Sequence, residues 1–275
     1  MRKPPLVSVV VPSYNHARYL PVTLDHVLHQ DRPEIEVIVS DDASTDGTPE
    51  VLNEYLRSVG EEEVSYASRW VRGEDRSGVE RAVHKRFPPN RRIRVLTSDR
   101  NLGATPNYIK AFREVTGEYC TFLPSDDIPH PAMISTLVGT LERTGADFAY
   151  ADVHVVDDTG RILRAFPLPD YSFERCFGDW YLLGMCKLWR SSLLRTVGTF
   201  DPAYQVSRDH ELFLRYALAG AKFVHVPKVL YSIRNHGPDR QVGQHSPASD
   251  RRMIEESIGL VKRAREFLAR QAGKA

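Results

Sequence analysis

Two pairs of adjacent carboxylates are the parts of this sequence best suited to chemistry. Asp41 and Asp42 follow one apolar, β-branched run, and Asp126 and Asp127 follow another. Paired carboxylates hold hard divalent cations such as Mg²⁺ or Mn²⁺ through their oxygens. Such an ion offsets the negative charge of a diphosphate leaving group. Each pair also has a purely structural explanation, an Asx turn or a helix cap, so neither pair is decisive alone.

No glycine-rich phosphate loop accompanies these carboxylates. The sequence contains neither G-x-x-x-x-G-K-[ST] nor G-x-G-x-x-G, the two patterns whose backbone N–H groups cradle phosphates. A nucleotide would therefore be held by side chains and a metal ion. A third acidic pair, Asp157 and Asp158, precedes Thr159 and Gly160. We interpret that pair as a structural hairpin turn.

The first half of the chain alternates apolar strands with amphipathic helices. Strands are predicted at Val7–Val11, Ile35–Val39, Ile93–Leu96 and Tyr119–Leu123. Helices are predicted between them at Ala17–His29, Thr48–Arg57 and Ala104–Val115. Serial strand–helix units predict a mainly parallel sheet with helices on both faces. Ligands bind to such sheets at the carboxyl ends of the strands. We therefore expect the two acidic pairs to converge at one edge.

The second half of the chain is less regular. A hairpin, a helix, a short strand and a terminal helix are predicted at 147–165, 208–219, 223–226 and from about 247 onward. The segment 60–92 interrupts the alternation of strands and helices in the first half of the chain, and it is too long for an ordinary connection between a helix and a strand. We interpret it as a surface insertion, a solvated loop or lid edge with at most a short helix.

Composition narrows the class of protein. The 275 residues are 41% hydrophobic and 27% charged, which is typical of a globular chain. A net charge of +1 gives no reason to expect a nucleic-acid partner. Three scattered cysteines indicate a reducing, cytoplasmic location. No apolar run is long enough to predict a transmembrane helix. The basic face of the terminal helix leaves peripheral contact with the inner membrane face as an alternative to a plain solvated helix.

The motifs at this spacing resemble glycosyltransferase family two, an inverting, nucleotide-sugar-dependent family with the GT-A fold. The resembling segments are Val9–Asn15, Ile38–Thr48, Asn101–Gly103, Gly117–Tyr119, Phe122–Asp127, Val197–Asp201 and Asp209–Arg215. The resemblance implies an α/β fold with a Rossmann-like, mainly parallel sheet flanked by helices. It further implies a nucleotide-binding half at 1–127, an acceptor and catalytic half at 128–240, and a C-terminal helical extension at 241–275.

The resemblance also implies a role for each matching position. Nucleotide contacts are implied at Pro12, Ser13, Tyr14, Asn15, Asp41, Asp42, Asn101, Gly103, Asn107 and Asp126. Ligands to Mn²⁺ or Mg²⁺ are implied at Asp126, Asp127 and His236. A diphosphate or acceptor contact is implied at Arg208 and Arg234. Pro124 stands where the family's D-x-D motif usually has its first Asp, which leaves the number of protein ligands open.

Asp209 matches the general base of the family and lies near the start of a predicted helix. The family often has Glu immediately before this Asp, but this chain has Arg208. From the residues alone, a helix cap is the favoured explanation of Asp209. Arg208 could lower the pKa of Asp209 by proximity, or it could face the acceptor or a phosphate.

The expected activity is transfer of one hexose-type sugar from a nucleotide-diphosphate sugar, UDP being the most frequent nucleotide in the family. The acceptor would be a hydroxyl of a glycan, lipid-linked glycan or small molecule, as in polysaccharide or glycoconjugate biosynthesis. A sugar nucleotidyltransferase would need a G-x-G-x-R-like loop, which this chain lacks. A non-catalytic nucleotide-sugar-binding member stays open because of Pro124 and Arg208. For most of Trp180, Tyr181 and Trp189 core packing is the favoured role, and stacking on a sugar ring is the alternative.

Overall fold

The computed structural model describes residues 4–32, 34–61, 63–72, 77–85, 87–88, 91–236 and 247–273. These residues form a nine-stranded mixed sheet, flanking helices and a separate two-stranded sheet. The strands are β1 (Val7–Ser13), β2 (Ile35–Asp41), β3 (Glu63–Arg72), β4 (Ser77–Lys85), β5 (Arg92–Thr97), β6 (Tyr119–Phe122), β7 (Ile128–Pro129), β8 (Phe148–Val156), β9 (Ile162–Phe166), β10 (Cys186–Arg190) and β11 (Phe223–Arg234). The helices are α1 (Leu20–Leu28), α2 (Thr48–Glu61), α3 (Ala104–Phe112), α4 (Met133–Thr144), α5 (Ser192–Thr196), α6 (Arg208–Leu218) and α7 (Pro247–Ala272), with a π-helical turn at Glu174–Asp179.

The first half of the chain confirms the predicted parallel sheet. Strand β1 pairs in parallel with β2 and β6, and β2 pairs in parallel with β5. The β-branched runs of β1 and β2 are buried because helices cover both faces of the sheet. Ser13 lies opposite Asp41 in the register, and Val10 lies opposite Phe122. The carboxyl ends of the three central strands therefore meet at one edge.

The second half extends this sheet with strands of mixed direction. Strand β10 lies antiparallel between β6 and β8, while β11 pairs in parallel with β8. The predicted hairpin is present as β8 and β9. Strand β11 is much longer than the predicted strand 223–226 and carries a bulge after Val226. That bulge lies at Pro227, which has no N–H to donate to a neighbouring strand.

The segment 60–92 differs from its prediction as a solvated loop with a short helix. Strands β3 and β4 pair with each other in an antiparallel, two-stranded sheet. The connecting residues 73–76 lie outside the described residues. Val64, Tyr66, Trp70, Val79 and Val83 are residue types favoured in strands, at even spacings within each run. The many charged residues between them obscured this alternation in the sequence.

The core is divided by the main sheet into two clusters. One cluster lies under α1, α2 and α4, with Leu24 and Leu137 fully buried. The other lies under α3 and α6 and includes Phe213 together with Leu260 and Ala264 of α7. The terminal helix is therefore anchored on the same face as α6. Among the described residues, no helix is both long and apolar enough to cross a bilayer, and the three cysteines are buried and free.

Candidate active site

The loops after β1 and β2 are joined to each other at the carboxyl edge of the sheet. The backbone N–H of Asn15 donates to Ser44 Oγ over 2.8 Å, and Asn15 Oδ1 accepts the N–H of Thr45 over 2.8 Å. Asn15 and Ala43 both have positive φ angles, 55° and 59°. Asn tolerates this conformation better than Ala, and such a backbone costs on the order of 1–3 kcal/mol. The cross-links between the loops hold it in place.

Asp41 and Asp42 both accept hydrogen bonds from the protein itself. Asp41 accepts the backbone N–H of Ser44, three residues further along the chain, over 3.1 Å and the Ser44 hydroxyl over 2.5 Å. Asp42 accepts the N–H groups of Leu102 and Gly103 over 3.0 and 2.8 Å. Asp42 thus joins the end of β2 to the start of α3. The predicted nucleotide residues 41, 42 and 103 are close neighbours.

The remaining predicted nucleotide residues have different environments. Pro12 and Tyr14 are half-buried at the end of β1, and Asn101 is exposed. Ser13 is buried, and its hydroxyl has no hydrogen-bond partner within the described residues. Asn107 faces inward, because its amide exchanges hydrogen bonds with the Ser40 hydroxyl and carbonyl over 2.6 and 2.9 Å. In this structure Asn107 therefore binds Ser40 of β2 and helps to hold that strand against α3.

A chain of imidazoles and carboxylates follows the end of β6. His236 Nε2 lies 2.9 Å from Asp126 Oδ2, and His236 Nδ1 lies 3.1 Å from Asp158 Oδ1. On the other side, His16 Nε2 lies 4.0 Å from Asp126 Oδ2. The Nδ1 of His16 contacts Ser125 Oγ at 2.7 Å, which fixes the orientation of that ring. Asp126 is therefore buried between two histidines.

Asp127 points into the fold instead. Its Oδ2 accepts the Tyr231 hydroxyl and its Oδ1 accepts the Arg234 N–H, each over 2.9 Å. Burial, and then the charge of Asp127, raises the pKa of Tyr231 and keeps its proton in place to donate. The predicted role of Asp127 as a metal ligand stays a prediction, and each of its oxygens already accepts one hydrogen bond from the protein.

Arg234 also has a structural environment. Its Nε donates to the Asp126 carbonyl over 2.9 Å, and its Nη1 donates to the Asp158 carbonyl over 3.1 Å. The guanidinium lies 5.3 Å from the centre of the Tyr19 ring. Arg234 thereby ties the hairpin turn of β8 and β9 to the end of β6. Its predicted contact to a diphosphate stays a prediction.

The donor atoms around Asp126 fit a divalent cation in part. Among the described residues, no group of three His, Cys, Asp or Glu side chains is arranged as around a bound ion. Asp126 and His236 nevertheless offer one oxygen and one nitrogen that already face each other. Asp158 on the second nitrogen of His236 is the arrangement that commonly orients a metal-ligating histidine. Ions bound by one or two protein groups complete their shell with phosphates and water.

Asp209 lies at the first turn of α6 in contact with a fully buried lysine. Its Oδ2 accepts the Tyr181 hydroxyl over 3.0 Å and the Lys187 ammonium over 3.1 Å. The Lys187 side chain is 0% exposed, whereas that of Asp209 is 20% exposed. Lys187 also donates to the Gly184 carbonyl over 2.7 Å and lies 4.9 Å from the centre of the Phe122 ring. Asp209 therefore has one side in the core and one side open.

The charge of Lys187 decides the ionisation of Asp209. Burial by itself would raise the pKa of Asp209, but the ammonium of Lys187, aided by Arg208 and Tyr181, holds that pKa below its ordinary value. Burial lowers the pKa of Lys187 in turn, and the carboxylate of Asp209 opposes this. Because its pKa lies below the ordinary carboxyl value, Asp209 presents an anionic carboxylate at its open side.

Asp209 and the acidic pair of β6 face a common region. The hydroxyl of Tyr108 has a raised pKa, chiefly because of burial, and the carboxylates of Asp209, Asp126 and Asp127 each raise it further. The guanidinium of Arg208, 5.5 Å from the centre of the Tyr108 ring, opposes this effect. These groups therefore act on the same tyrosine from both halves of the chain.

Arg208 links the two halves of the site. Its Nε donates to Thr105 Oγ1 over 3.0 Å, and its Nη2 donates to the Gln205 carbonyl. The hydroxyl of Thr105 donates to the Tyr204 carbonyl over 2.7 Å. Arg208 thus attaches the start of α6 to the start of α3. The predicted contact of Arg208 to acceptor or phosphate is untested.

Several residues of this site were missed in the sequence, among them Lys187, Tyr181, Asp158 and His16. Lys187 carries a visible signal, since it is a charged residue between the apolar Cys186 and Leu188 of β10. Tyr181 was considered only for core packing or sugar stacking, although its hydroxyl contacts Asp209. Asp158 was assigned to a structural turn, but only Asp157 is confined to that role, as its carboxylate accepts the N–H groups of Thr159 and Arg161. The link from Asp158 to His236 spans too many residues for sequence spacing to reveal.

The strand order and the site at the carboxyl edge define a GT-A-type fold. The crystal structure of Staphylococcus aureus TarS 1–349 in complex with UDP-GlcNAc has a TM-score of 0.68 at 19% identity, over 94% of this chain and 66% of that one. The mannosyltransferase PcManGT from Pyrobaculum calidifontis, in complex with GDP-Man and Mn²⁺, has a TM-score of 0.58 at 17% identity, over 98% of this chain and 76% of that one. At these identities the likeness supports the fold alone.

The sequence matches the model of Glycosyl transferase family 2 over residues 8–85 and 73–192, and the chain belongs to that family. It is 26% identical to the glycosyltransferase GlyG of Streptococcus pneumoniae, over 83% of this chain and 70% of GlyG. It is 24% identical to a PGL/p-HBAD biosynthesis glycosyltransferase of Mycobacterium bovis, over 97% of this chain and 93% of that one. The chain is therefore a glycosyltransferase. Asp209, Arg234 and His236 lie beyond the matched residues, so the match does not assign their roles.

Proposed function

We propose that the chain is an inverting glycosyltransferase in which Asp209 is the general base. It transfers one sugar from a nucleotide-diphosphate sugar to an acceptor hydroxyl. The observation that carries this proposal is the Asp209–Lys187 pair: a carboxylate kept ionised by a buried ammonium, yet open on one side. A base must be unprotonated and within reach of its substrate; the lowered pKa of Asp209 and the exposed part of its side chain support this role.

The two oxygens of Asp209 have separate tasks in this proposal. Oδ2 is taken by Tyr181 and Lys187, whereas Oδ1 accepts the adjacent N–H of His210 over 2.9 Å. Oδ1 takes the proton as the acceptor oxygen attacks the anomeric carbon. The bond from that carbon to the diphosphate breaks, and the nucleoside diphosphate leaves with the electron pair. Such base catalysis contributes on the order of 10²–10⁴-fold to the rate.

Asp126 and His236 would hold the divalent cation, Mn²⁺ or Mg²⁺, with His16 close by. When bound, the ion offsets the charge of the departing diphosphate. The complex of PcManGT with Mn²⁺ supports the choice of metal. Pro124 supplies no side-chain ligand, and Asp126 is proposed ahead of Asp127 because its carboxylate faces His236 whereas that of Asp127 faces Tyr231.

UDP is the proposed nucleotide, and GDP is the competing choice. The TarS complexes with UDP and UDP-GlcNAc support the first, and the PcManGT complex with GDP-Man supports the second. The proposed acceptor is a hydroxyl of a glycan or glycoconjugate, in keeping with the names of the bacterial relatives. The expected cytoplasmic location and peripheral membrane contact stay predictions.

The test is Asp209→Asn compared with Asp179→Asn, which changes an exposed carboxylate. UDP-GlcNAc, UDP-glucose and GDP-mannose serve as donors, and release of nucleoside diphosphate to water or to added sugar acceptors is measured. Asp209→Asn should lower kcat by about 10²–10⁴-fold and leave the thermal shift produced by UDP close to that of the parent. Equal loss of turnover and nucleotide binding would contradict the base assignment. Donor binding without turnover by the parent protein would favour the non-catalytic alternative.

A further inference from the structure

The terminal helix α7 lies against the segment that leads into the proposed base. Leu260 and Ala264 are fully buried in the core cluster of α6. The preceding turn of α7 reaches residues 205–207, which end immediately before Arg208 and Asp209. This helix lies outside the residues matched by the family model. The family match therefore does not explain the contacts of α7 with residues 205–207.

Glu256 makes the central contact between α7 and this segment. Its Oε1 accepts the backbone N–H of Gln205 over 3.1 Å, and its Oε2 accepts those of Val206 and Ser207 over 3.1 and 2.8 Å. Arg252 donates to Oε1 over 2.8 Å. One carboxylate thus binds three consecutive backbone N–H groups. Burial of Glu256 would raise its pKa, but the N–H groups of Ser207 and Gln205 outweigh this, so that it is anionic.

Further contacts from α7 hold two of these residues, Gln205 and Ser207. The hydroxyl of Ser207 lies 2.9 Å from that of Ser257 and donates to the Met253 carbonyl over 3.3 Å. Arg252 Nη1 donates to the side-chain oxygen of Gln205 over 2.8 Å. Ser207 precedes α6 at the position where a serine often caps a helix, yet its side chain makes no such cap. The serine is used to bind α7 instead.

The start of α6 is consequently fixed from outside the helix. Its first turn carries Asp209, whose carboxylate must meet an acceptor oxygen within hydrogen-bond distance. A displacement of about 1 Å in such a group can cost on the order of 10²-fold in rate. We propose that Glu256 is a positioning residue for Asp209, acting through the backbone of residues 205–207. This inference rests on the proposed function of Asp209 as the base.

The first experiment compares Glu256→Ala and Glu256→Gln with Glu255→Ala. Glu255 is the matched control, because it is the neighbouring residue of α7, is 62% exposed and contacts Arg251 over 2.9 Å. Glu256→Ala should lower kcat for donor hydrolysis about 10–100-fold with an unchanged donor KM. Glu256→Gln keeps one acceptor oxygen and should fall between Glu256→Ala and the parent. An unchanged kcat in Glu256→Ala, or an equal loss in Glu255→Ala, would overturn the proposal.

Two further readouts separate this proposal from the assignment of the base. Amide hydrogen exchange of residues 205–207 needs no substrate, and it should speed up at least tenfold in Glu256→Ala while the amides of β1 stay protected. Unchanged exchange would overturn the positioning role whatever Asp209 does. In an Asp209→Asn background, Glu256→Ala should cause little further loss of kcat. If Asp209→Asn alone leaves kcat unchanged, Asp209 is not the base. Glu256 would then have no role in catalysis through Asp209.

Discussion

Replacing Lys187 by Met should move the acid limb of the pH–rate profile to higher pH. Met keeps the length of the buried side chain and removes the ammonium that lies 3.1 Å from Asp209 Oδ2. Burial then acts on Asp209 without its main opposing charge, so its pKa must rise. Protonated Asp209 cannot accept the acceptor's proton, so turnover at low pH is lost first.

The size of this shift can be worked from the geometry. Two unit charges 3.1 Å apart attract by about 5 kcal/mol at an effective dielectric of about 20. At 1.36 kcal/mol per unit this would be about 4 pKa units, but Asp209 is partly open to water. Carboxylates beside a single cation shift by about 1–3 units. We expect the acid limb to rise by about 2–3 units because Lys187 is wholly buried.

The assay is kcat for donor hydrolysis between pH 4.5 and 9, with folding checked by thermal melting at each pH. Lys187→Met should lose a clearly larger share of its activity than the parent at pH 5 and recover most of it at pH 9. Lys187→Arg keeps the charge and should retain an acid limb near that of the parent. Tyr181→Phe removes one hydrogen bond to Asp209 and should shift the limb by less than Lys187→Met does.

Two outcomes would refute the reasoning. An acid limb of Lys187→Met that overlays the parent's would show that Lys187 does not set the ionisation of the base. A uniform loss of kcat at every pH, with an intact fold, would show that the lysine acts by another route. Breaking a buried ion pair costs about 3–5 kcal/mol of stability, so the measurements are made well below the melting temperature.

The remaining predictions concern the metal and the acid stability of the fold. His236→Ala should abolish the Mn²⁺-dependent part of the thermal shift by UDP while the shift in chelator stays, because it removes the nitrogen that faces Asp126. A Mn²⁺-dependent shift equal to the parent's would exclude His236 as a ligand. Burial would raise the pKa of Glu36, but hydrogen bonds from Ser8 and Thr116 outweigh this and lower it. Its stabilisation is therefore present above the ordinary carboxyl pKa and is lost as pH falls through the lower folded value. Glu36→Gln should flatten the fall of the urea midpoint with acid, and an unchanged slope would contradict this.

The parallel half of the fold was predictable because its signals are local. The runs of β1 and β2 are β-branched, buried and followed by polar turns, and the helix between them has one apolar face. The parallel arrangement then brings the strand ends to one edge. Asp42 and Gly103, far apart in the chain, meet there as expected.

The contacts within the site were not predictable, because they depend on long-range geometry. The separation of Lys187 and Asp209 in the sequence does not reveal their 3.1 Å contact, because it depends on how α6 packs against β10 in the folded chain. Nor does the sequence show that Asp126 and Asp127 diverge, one toward His236 and the other toward Tyr231. Strands β3 and β4 were missed for another reason, namely that charges interrupt their alternation.

The divergence of Asp126 and Asp127 means that two neighbouring acids would fail in different ways. Loss of the Asp127 carboxylate leaves the Tyr231 hydroxyl and the Arg234 N–H buried without their acceptor. Variants at position 127 would therefore be depleted from the soluble fraction of an expression library. Variants at position 126 would persist there in larger amounts, because His236 keeps its contact with Asp158 when the Asp126 carboxylate is lost, and they would be inactive if Asp126 holds the metal ion. A screen that scores abundance and turnover separately would therefore find position 127 mainly by loss of abundance and position 126 mainly by loss of turnover.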